Sequence, residues 1–416
     1  MKMKNNRMKS LQIILLIILQ HSLCIQSFGQ KLRFEEPVDI GAESVSGVTA
    51  LDAGDFNLDG LMDVAVLEGG KHAEKPTFAW FEQQANGKWK RHEFGNNNLI
   101  DSFLGSAKCA DMDGDGDYDL VFTSDNHSVG PIKVFIFVNP GNPAVYESWK
   151  PYHIATIQGY HANDMKIADM NNDGKKEVII RHKDPNTIEI LFQPEKFYYE
   201  EWKVKSLPTG KLGTEGFAIG NINEDLLPDI SVNGYWFKAP SDPENASYTL
   251  FSIDTLYTQI NPNTKEEIGD INGDGLNDIV ISPAEAYGNG KDHILAWYEA
   301  PKNPENSAKW IKHIIKEPYN NAHTVKLIDI DNDGDLDIIS GQAWPPKQIT
   351  VFLNNQGDFS KSFVITEDKG IYSGAILDMD GDGDIDIVGE DTYANKAKPW
   401  YYKNLLKSTN NAKNYE

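Results

Sequence analysis

The segment DMDGDGDYD, residues 111–119, is one of seven acidic nine-residue segments that recur along the chain. Oxygen-bearing side chains occupy its positions 1, 3, 5 and 9, and glycine occupies position 6. The other copies begin at Asp55, Asp169, Asn221, Asp270, Asp329 and Asp378. Successive copies start 49 to 59 residues apart, and short apolar runs flank each one. A repeat of this length predicts one four-stranded blade per copy, and therefore an all-β, seven-bladed β-propeller.

The composition of the segments, here called the acidic loops, predicts bound calcium. Carboxylate and amide oxygens are the ligands that calcium prefers, and the glycine permits a sharp bend. A strand follows each loop where a helix follows in an EF-hand, so a strand–loop–strand setting is predicted. For one copy, a polar turn that binds nothing is an equal alternative. Seven spaced copies favour several structural calcium sites.

The loops differ in how well they fit the calcium pattern. The fourth copy has Leu226 in place of the glycine, which predicts a weak or absent site. The predicted ligands of the other six are Asp55, Asn57, Asp59, Asp63, Asp111, Asp113, Asp115, Asp119, Asp169, Asn171, Asp173, Glu177, Asp270, Asn272, Asp274, Asp278, Asp329, Asp331, Asp333, Asp337, Asp378, Asp380, Asp382 and Asp386.

These loops resemble the FG-GAP or VCBS type of calcium-binding propeller repeat over essentially the whole mature chain. The phrases at residues 296–299 (AWYE) and 310–314 (WIKHI) add a similarity to the propeller part of aldos-2-ulose dehydratase and to secreted ulvan-oligosaccharide dehydratases. The resemblance implies a carbohydrate-active lyase that removes water to leave a 4,5-unsaturated uronate. The repeat itself is specific for fold and not for function, since such propellers also serve as adhesion domains and lectins.

The N-terminal residues have the pattern of a secretory signal. Four basic residues precede the apolar run Leu11–Leu19, which is too short to span a membrane. We predict a signal peptide at residues 1–29, a propeller at 30–404 and a polar tail at 405–416. The product would be secreted or periplasmic, with a lipid anchor at Cys24 as the less favoured alternative. Only Cys109 then remains, so no intramolecular disulfide can form.

The charge of the chain limits its partners. Removal of the signal takes away four basic residues and no acidic ones, which changes the net charge from −23 to −27. This acidity excludes nucleic acid as a partner. Bound calcium would neutralise much of it, and without calcium the clustered carboxylates should repel one another. We predict a monomer that acts on an anionic oligosaccharide or polysaccharide.

A functional site is predicted at the end of the propeller opposite the acidic loops. In propellers of the repeat type that these loops resemble, the loop joins the first strand to the second. Residues that precede the first strand or follow the second should therefore emerge together at the opposite end. Five of the ten histidines meet this condition: His72, His127, His161, His182 and His323. His92, His153 and His313 instead accompany tryptophans near the outer strands, which predicts a packing role.

The residue types at that end suit β-elimination on a uronate, which needs a base, a cation for the carboxylate and an acid for the leaving oxygen. We assign His161 as the base, with His127 or His323 as the alternative. Arg181, His182 and Lys183 would bind the carboxylate, and Tyr235 or Tyr287 would protonate the leaving group. Trp236 or Trp344 would stack on the sugar, and His72 would contact it.

Other functions remain open from the sequence. Expulsion of a glycosidic oxygen instead of water would make the protein a polysaccharide lyase. A non-catalytic glycan-binding module would need only the aromatic side chains. Glycoside hydrolysis would need two facing carboxylates, for which Glu215, Glu285 and Glu390 are candidates. Histidines from different blades could also coordinate zinc, although no local ligand spacing indicates it.

Overall fold

The structure is a computed structural model that describes residues 32–41, 47–68, 77–94, 103–126, 128–141, 149–213, 215–260, 263–285, 293–345, 347–391 and 398–406. Within these ranges the chain forms seven four-stranded antiparallel sheets. The strands of each sheet follow one another in chain order, except that the last sheet contains the first strand of the chain. The sheets are the seven blades of a β-propeller, as the repeat spacing predicts.

The strands are numbered in chain order. Blades one to three are formed by β2 (Ala50–Gly54), β3 (Asp63–Glu68), β4 (Thr77–Gln83), β5 (Trp89–Glu93), β6 (Phe103–Ala110), β7 (Asp119–Asp125), β8 (Ile132–Val138), β9 (Lys150–Ile157), β10 (Tyr160–Ala168), β11 (Glu177–Lys183), β12 (Thr187–Phe192) and β13 (Lys203–Pro208). Blades four to seven are formed by β14 (Ala218–Gly220), β15 (Asp229–Val232), β16 (Tyr235–Lys238), β17 (Thr249–Ser252), β18 (Thr264–Gly269), β19 (Asp278–Pro283), β20 (Leu295–Glu299), β21 (Ile311–Lys316), β22 (Ala322–Ile328), β23 (Asp337–Gln342), β24 (Gln348–Leu353), β25 (Lys361–Thr366), β26 (Ser373–Leu377), β27 (Asp386–Glu390), β28 (Trp400–Tyr402) and β1 (Val38–Asp39).

The N-terminal strand closes the ring of blades. Strand β1 pairs antiparallel with β28, where Val38 lies opposite Tyr401. An isolated bridge between Phe34 and Asn404 extends the pairing. The sequence predicts closure by a strand near Leu32–Phe34. The structure confirms that this part of the chain joins the last blade, but places the strand itself a few residues later.

Burial within a blade explains the sequence pattern around each loop. The second strand lies between two neighbouring strands and two neighbouring blades, so every residue of β3 and β7 is buried. A strand that is covered on both faces has a continuous apolar run. The outer strand β21 instead alternates between exposed and half-buried residues. The first strands of the blades surround the central channel.

Two histidines on outer strands have the packing role that the sequence predicts. His92 stacks on Trp80 with ring centroids 4.2 Å apart, and His313 stacks on Trp297 at the same distance. Each imidazole also contacts a glutamate of the adjacent strand. The repetition of one arrangement in two blades indicates a structural unit of the fold.

A single short α-helix, α1 (Leu256–Ile260), and a 3₁₀ turn at Ser307–Lys309 interrupt the strands that the structure describes. None of the described helices has the length and apolar character needed to cross a membrane.

Candidate functional site

The acidic loops lie between the first and second strands of all seven blades, as predicted. In the first loop both oxygens of Asp55 accept backbone N–H groups, from Asp59 at 3.1 Å and from Gly60 at 2.9 Å. The ninth position is different, because its carboxylate is buried. Asp119 accepts the N–H of Met112 at 2.8 Å and that of Asn139 at 2.9 Å. Burial raises the pKa of Asp119 to about 7. This carboxylate therefore ties the loop to the end of the third strand.

Three loops bring carboxylate oxygens close enough to share an ion. In each, one oxygen from each of three residues lies within 4.8 Å of the others; the groups are Asp111 with Asp113 and Asp115, Asp329 with Asp331 and Asp333, and Asp378 with Asp380 and Asp386. In the sixth loop, Oδ1 of Asp331 is buried without a hydrogen-bond partner among the described residues. An unpaired buried carboxylate oxygen beside two other carboxylates suits a hard cation. These clusters could bind metal ions.

The fourth and seventh loops depart from this arrangement. Leu226 has a left-handed φ of 75°, which is the conformation of the glycine in the other loops, and its side chain is 78% exposed. In the seventh loop the ammonium group of Lys403 contacts Asp380 and lies 3.1 Å from Asp382. A protein cation therefore already pairs with two of the predicted ligands.

The first strands enclose a central cavity of about 660 Å³. Charged side chains from several blades meet in its wall. Three of them precede or begin a first strand, as the sequence predicts for the end opposite the acidic loops. We call the following residues the channel cluster: Asp164, Glu215, Lys265, Glu285 and His323.

Ion pairs hold the channel cluster together. The Lys265 ammonium lies 2.7 Å from Asp164 Oδ1 and 3.1 Å from Glu215 Oε1. Nε2 of His323 lies 2.7 Å from the same oxygen of Glu215. Burial opposes ionisation of Glu215, but Lys265 and His323 outweigh it and hold the pKa of Glu215 well below its usual range. The cluster is therefore a coupled set of acidic and basic groups from blades three to six.

Arg181 positions the backbone beside Glu215. Its guanidinium is fully buried and donates to the carbonyls of Leu212, Glu215 and Gly216. The assignment of Arg181 as a carboxylate-binding residue is corrected here, because these bonds keep its guanidinium inside the protein. Gly216 has a φ of +81°, and a Cβ at this position would lie 1.6 Å from the carbonyl oxygen of Thr264. The turn that presents Glu215 therefore requires glycine.

His161 and Asn321 occupy matching places in blades three and six, each one residue before the paired alanine, and His323 lies two residues after Asn321. The pairing of the first and second strands is irregular at both, next to Ala162 and next to Ala322. His161 has a φ of 55° and Asn321 a φ of 60°, both in the left-handed region. Bulges and left-handed residues re-aim side chains and recur at functional sites. Both histidines line the central cavity.

Of the three predicted cations in residues 181–183, the structure brings only Lys183 to the cavity. Lys183 is half-buried and makes no ion pair with the residues that the structure describes. His182 is fully buried, and its Nε2 lies 3.3 Å from Glu189 Oε1. The prediction that His182 binds substrate is therefore corrected. The physical reason is that β11 extends to Lys183, so residues 181 and 182 lie inside a strand that neighbouring strands cover.

A turn that the sequence analysis missed displaces two predicted aromatic residues. Asn233 and Gly234 have φ values of 47° and 78°, which is the two-residue hairpin geometry that Asn-Gly favours. Tyr235 and Trp236 therefore begin the third strand, β16. Trp236 is fully buried and stacks on Phe251, and Tyr235 packs against the core between blades three and four. Neither is among the cavity-lining residues, which corrects their predicted roles.

Trp344 lies beside the site but is not part of the cavity wall. Its ring makes edge-on contacts with His323 and Tyr372, at centroid distances of 5.5 and 5.7 Å. His72, His127 and Tyr287 lie outside the described residues, and their predicted roles stay predictions.

Lys265 is a residue of the channel cluster that the sequence does not predict. The sequence signal for Lys265 is the charged run Lys265–Glu267 at the start of a first strand, where side chains face the channel.

Further along the same strands, three charged residues bridge the channel. Glu267 pairs with Lys166 at 3.0 Å and with Lys326 at 3.2 Å. We call these three residues the floor ion pairs. Each follows the cluster-bearing part of its strand, in the direction of the acidic loops. Burial would raise the pKa of Glu267, but the two lysines lower it. The floor ion pairs therefore lie between the channel cluster and the loop end along the strands, and they line the same cavity.

The comparisons with known proteins agree on the repeat and the fold. The FG-GAP-like repeat model matches residues 111–180, 270–340 and 329–389. No curated protein matches the chain. A solved structure titled "Crystal structure of BBS1N in complex with ARL6DN, soaked with lead" is similar with a TM-score of 0.51 and 9% identity, over 89% of this chain and 96% of that one. At this identity the likeness concerns fold alone. The protein is a seven-bladed β-propeller with FG-GAP-like repeats.

Proposed function

We propose that the protein is a secreted carbohydrate-active lyase that performs β-elimination on a uronate at the strand-start end of the central channel. The observation that carries the proposal is the meeting of His161, Lys183 and the channel cluster in one cavity. A volume of about 660 Å³ falls within the usual range for small-molecule sites. The resemblance to ulvan-oligosaccharide dehydratases favours a saturated uronate at the non-reducing end as the substrate.

The reaction assigns one role to each group. His161 takes the proton at C5, next to the carboxylate, and the electron pair of that bond forms the C4–C5 double bond. The C4–O bond breaks, and the leaving oxygen takes a proton. Lys183 pairs with the substrate carboxylate and stabilises the negative charge that develops on it. Tyr372 lines the same cavity and replaces Tyr235 as the candidate proton donor.

The leaving group separates a dehydratase from a polysaccharide lyase. A hydroxyl at C4 leaves as water, and a glycosidic oxygen leaves as a shortened sugar chain. The test is incubation with ulvan and other uronate oligosaccharides, followed by ultraviolet absorbance of the new double bond and mass spectrometry. Loss of one water supports the dehydratase, and chain shortening without water loss supports the lyase. Absence of any unsaturated product across the panel would overturn the proposal.

Substitution of Lys183 tests the carboxylate contact. A hydrogen bond to a charged group contributes about 1.5–3 kcal/mol, so we expect Lys183→Gln to raise KM by roughly 10- to 100-fold. Lys176 lies on an acidic loop and donates to the backbone at Asp111, so Lys176→Gln is the matched control. Equal kinetic parameters in both variants would show that Lys183 does not meet the carboxylate.

We also propose that the acidic loops bind calcium as structural ions. The all-oxygen donor set and the unpaired Oδ1 of Asp331 fit a hard cation in the sixth loop. First- and third-position side chains such as Asp329 and Asp331 would supply ligands. Bound ions would remove the repulsion between neighbouring carboxylates and stabilise the blade ends.

A non-catalytic glycan-binding function is the second candidate, and one surface feature favours it. Tyr199 is 86% exposed, and its neighbours Tyr198 and Phe197 contact each other on the same loop. Exposed aromatic rings provide flat apolar faces for sugars. If this function is correct, glycans should bind unchanged, and Tyr199→Ala should weaken binding where His161→Gln does not.

A further inference from the structure

We propose that Glu215, Glu285 and His323 bind a divalent transition-metal ion at the strand-start end of the channel. One ligand atom from each residue lies within 4.8 Å of the other two. They come from the turn before β14, from the end of β19 and from the start of β22. Three separate blades therefore supply the ligands, which explains why no local spacing in the sequence indicates the site. The three ligands belong to the channel cluster on which the proposed function also rests, but metal binding itself does not require the elimination reaction.

The geometry around His323 suits a bound cation. Its Nδ1 lies 2.8 Å from the carbonyl oxygen of Tyr372, which can only accept, so Nδ1 carries a proton. The His323 side chain is 5% exposed, and its Nε2 has no hydrogen-bond partner among the described residues. This nitrogen lies 2.7 Å from Glu215 Oε1, the contact described above as an ion pair. The two atoms are therefore close enough to share one cation, which is either a proton or a metal ion.

The surrounding residues orient the ligands as outer partners do in metal sites. A backbone carbonyl on the second ring nitrogen fixes the tautomer of a metal-binding histidine. The Tyr372 ring also stacks on His323 at 4.1 Å, which fixes the imidazole plane. Asn263 donates to Glu285 Oε2 at 2.9 Å, and Lys265 contacts Glu215 at 3.1 Å. Each proposed ligand is therefore held in place by a neighbouring group.

The donor set identifies the class of metal. Two carboxylates and one imidazole leave further positions open for water or substrate, as in catalytic zinc sites with three protein ligands. Imidazole suits zinc and related transition metals, whereas calcium takes oxygen ligands. Zn²⁺ is therefore the expected ion, with Mn²⁺ as the alternative for the carboxylate-rich set. The acidic loops, which offer only oxygen, should prefer calcium.

Metal binding can be measured without substrate. We would titrate the tag-free protein with ZnCl₂ or MnCl₂ by calorimetry in excess calcium, and determine bound metal by mass spectrometry. We expect one tight site in the wild type and its loss in Glu285→Gln and His323→Gln. His313→Gln is the matched control, because His313 also contacts a glutamate (Glu299) at 2.9 Å but has no third ligand among the residues that the structure describes. It should bind like the wild type.

A variant of Asn263, which donates a hydrogen bond to the proposed ligand Glu285, keeps the test informative if a ligand variant fails to fold. We expect Asn263→Ala to fold and to bind the metal about 10- to 100-fold more weakly. The proposal is overturned if the wild type binds no zinc or manganese in excess calcium, or if all variants bind equally. Either result would leave His323 as an imidazolium paired with Glu215. A metal-binding protein that forms no unsaturated product would contradict the proposed reaction and not this site.

Discussion

The two ends of the central channel differ in symmetry. At one end, seven acidic loops repeat one arrangement, in which a buried ninth-position carboxylate ties each loop to its blade. At the other end, each residue of the channel cluster occurs once, and the cluster joins blades three to six. A feature that recurs in every blade serves the fold. An asymmetric cluster that occurs only once can instead evolve to bind a particular ligand. We therefore propose that the loops serve stability and that the channel cluster serves function.

The largest expected effect is loss of activity at the asymmetric end. We expect His161→Gln to lower kcat by about 10²- to 10⁴-fold, the usual contribution of a general base. The unfolding temperature should remain close to that of the wild type, because His161 is only half-buried. His92→Gln, in an outer strand, is the control and should retain full kcat. Full activity in His161→Gln would remove the proposed base.

The next effect concerns calcium and compares two loops. Asp333 and Asp225 both occupy position 5 and both accept the N–H of position 7, at 3.0 and 3.2 Å. A bound ion at 100 times its Kd adds about 2.7 kcal/mol to the free energy of unfolding. We expect Asp333→Asn to lower the free energy of unfolding by most of this amount. Asp225→Asn should lower it little, because the fourth loop lacks the glycine and is predicted to bind calcium weakly or not at all. Denaturant unfolding with and without a chelator measures both. Equal losses would contradict the distinction between the loops.

The third effect concerns the floor ion pairs. Glu267→Gln leaves Lys166 and Lys326 without their shared carboxylate, which should cost about 1–3 kcal/mol of unfolding free energy at neutral pH. The pKa of Glu267 is lowered in the folded state, so its contribution is present above the ordinary glutamate pKa of about 4.3 and is lost as pH falls below it. The difference between variant and wild type should therefore shrink below about pH 4. A difference that grows at low pH would contradict this account.

The smallest effect should be a gain in stability. Leu226 holds a left-handed backbone with its side chain exposed, which costs about 1–2 kcal/mol in a residue with a Cβ. Glycine relieves this strain but loses more entropy on folding, so we expect Leu226→Gly to raise the free energy of unfolding by about 0.5–1 kcal/mol. Thermal unfolding in calcium checks it. A decrease would show that the Leu226 side chain contributes to packing.

The sequence predicts the repeated end well because each loop is local in the chain. Position 6 requires a left-handed backbone whatever the rest of the fold does, and Leu226 adopts that backbone without being glycine. The channel cluster depends instead on where strands end. Strand direction alone correctly selects His161, Lys183 and His323 for the cavity. It misplaces Trp236, because the Asn233-Gly234 turn starts the next strand earlier than assumed.

The sequence does not show which residues of neighbouring blades contact each other. The sequence predicts that Arg181 is a substrate-binding cation, because a buried arginine is uncommon. Its partners are backbone carbonyls of residues 212–216 and Oδ1 of Asn233, a combination that no residue pattern reveals. Lys265 and Glu215 meet only because the turn at Gly216 packs against Thr264. Strand direction therefore predicts which end of the channel collects charged side chains better than it predicts each residue found there.

The most direct test of the comparison is a crystal structure of His161→Gln with a bound oligosaccharide that ends in saturated glucuronate. The account predicts the sugar at the strand-start end of the channel, with its carboxylate at Lys183. Sugar bound at the acidic loops, with the channel cluster unoccupied, would contradict the assignment of function to that end.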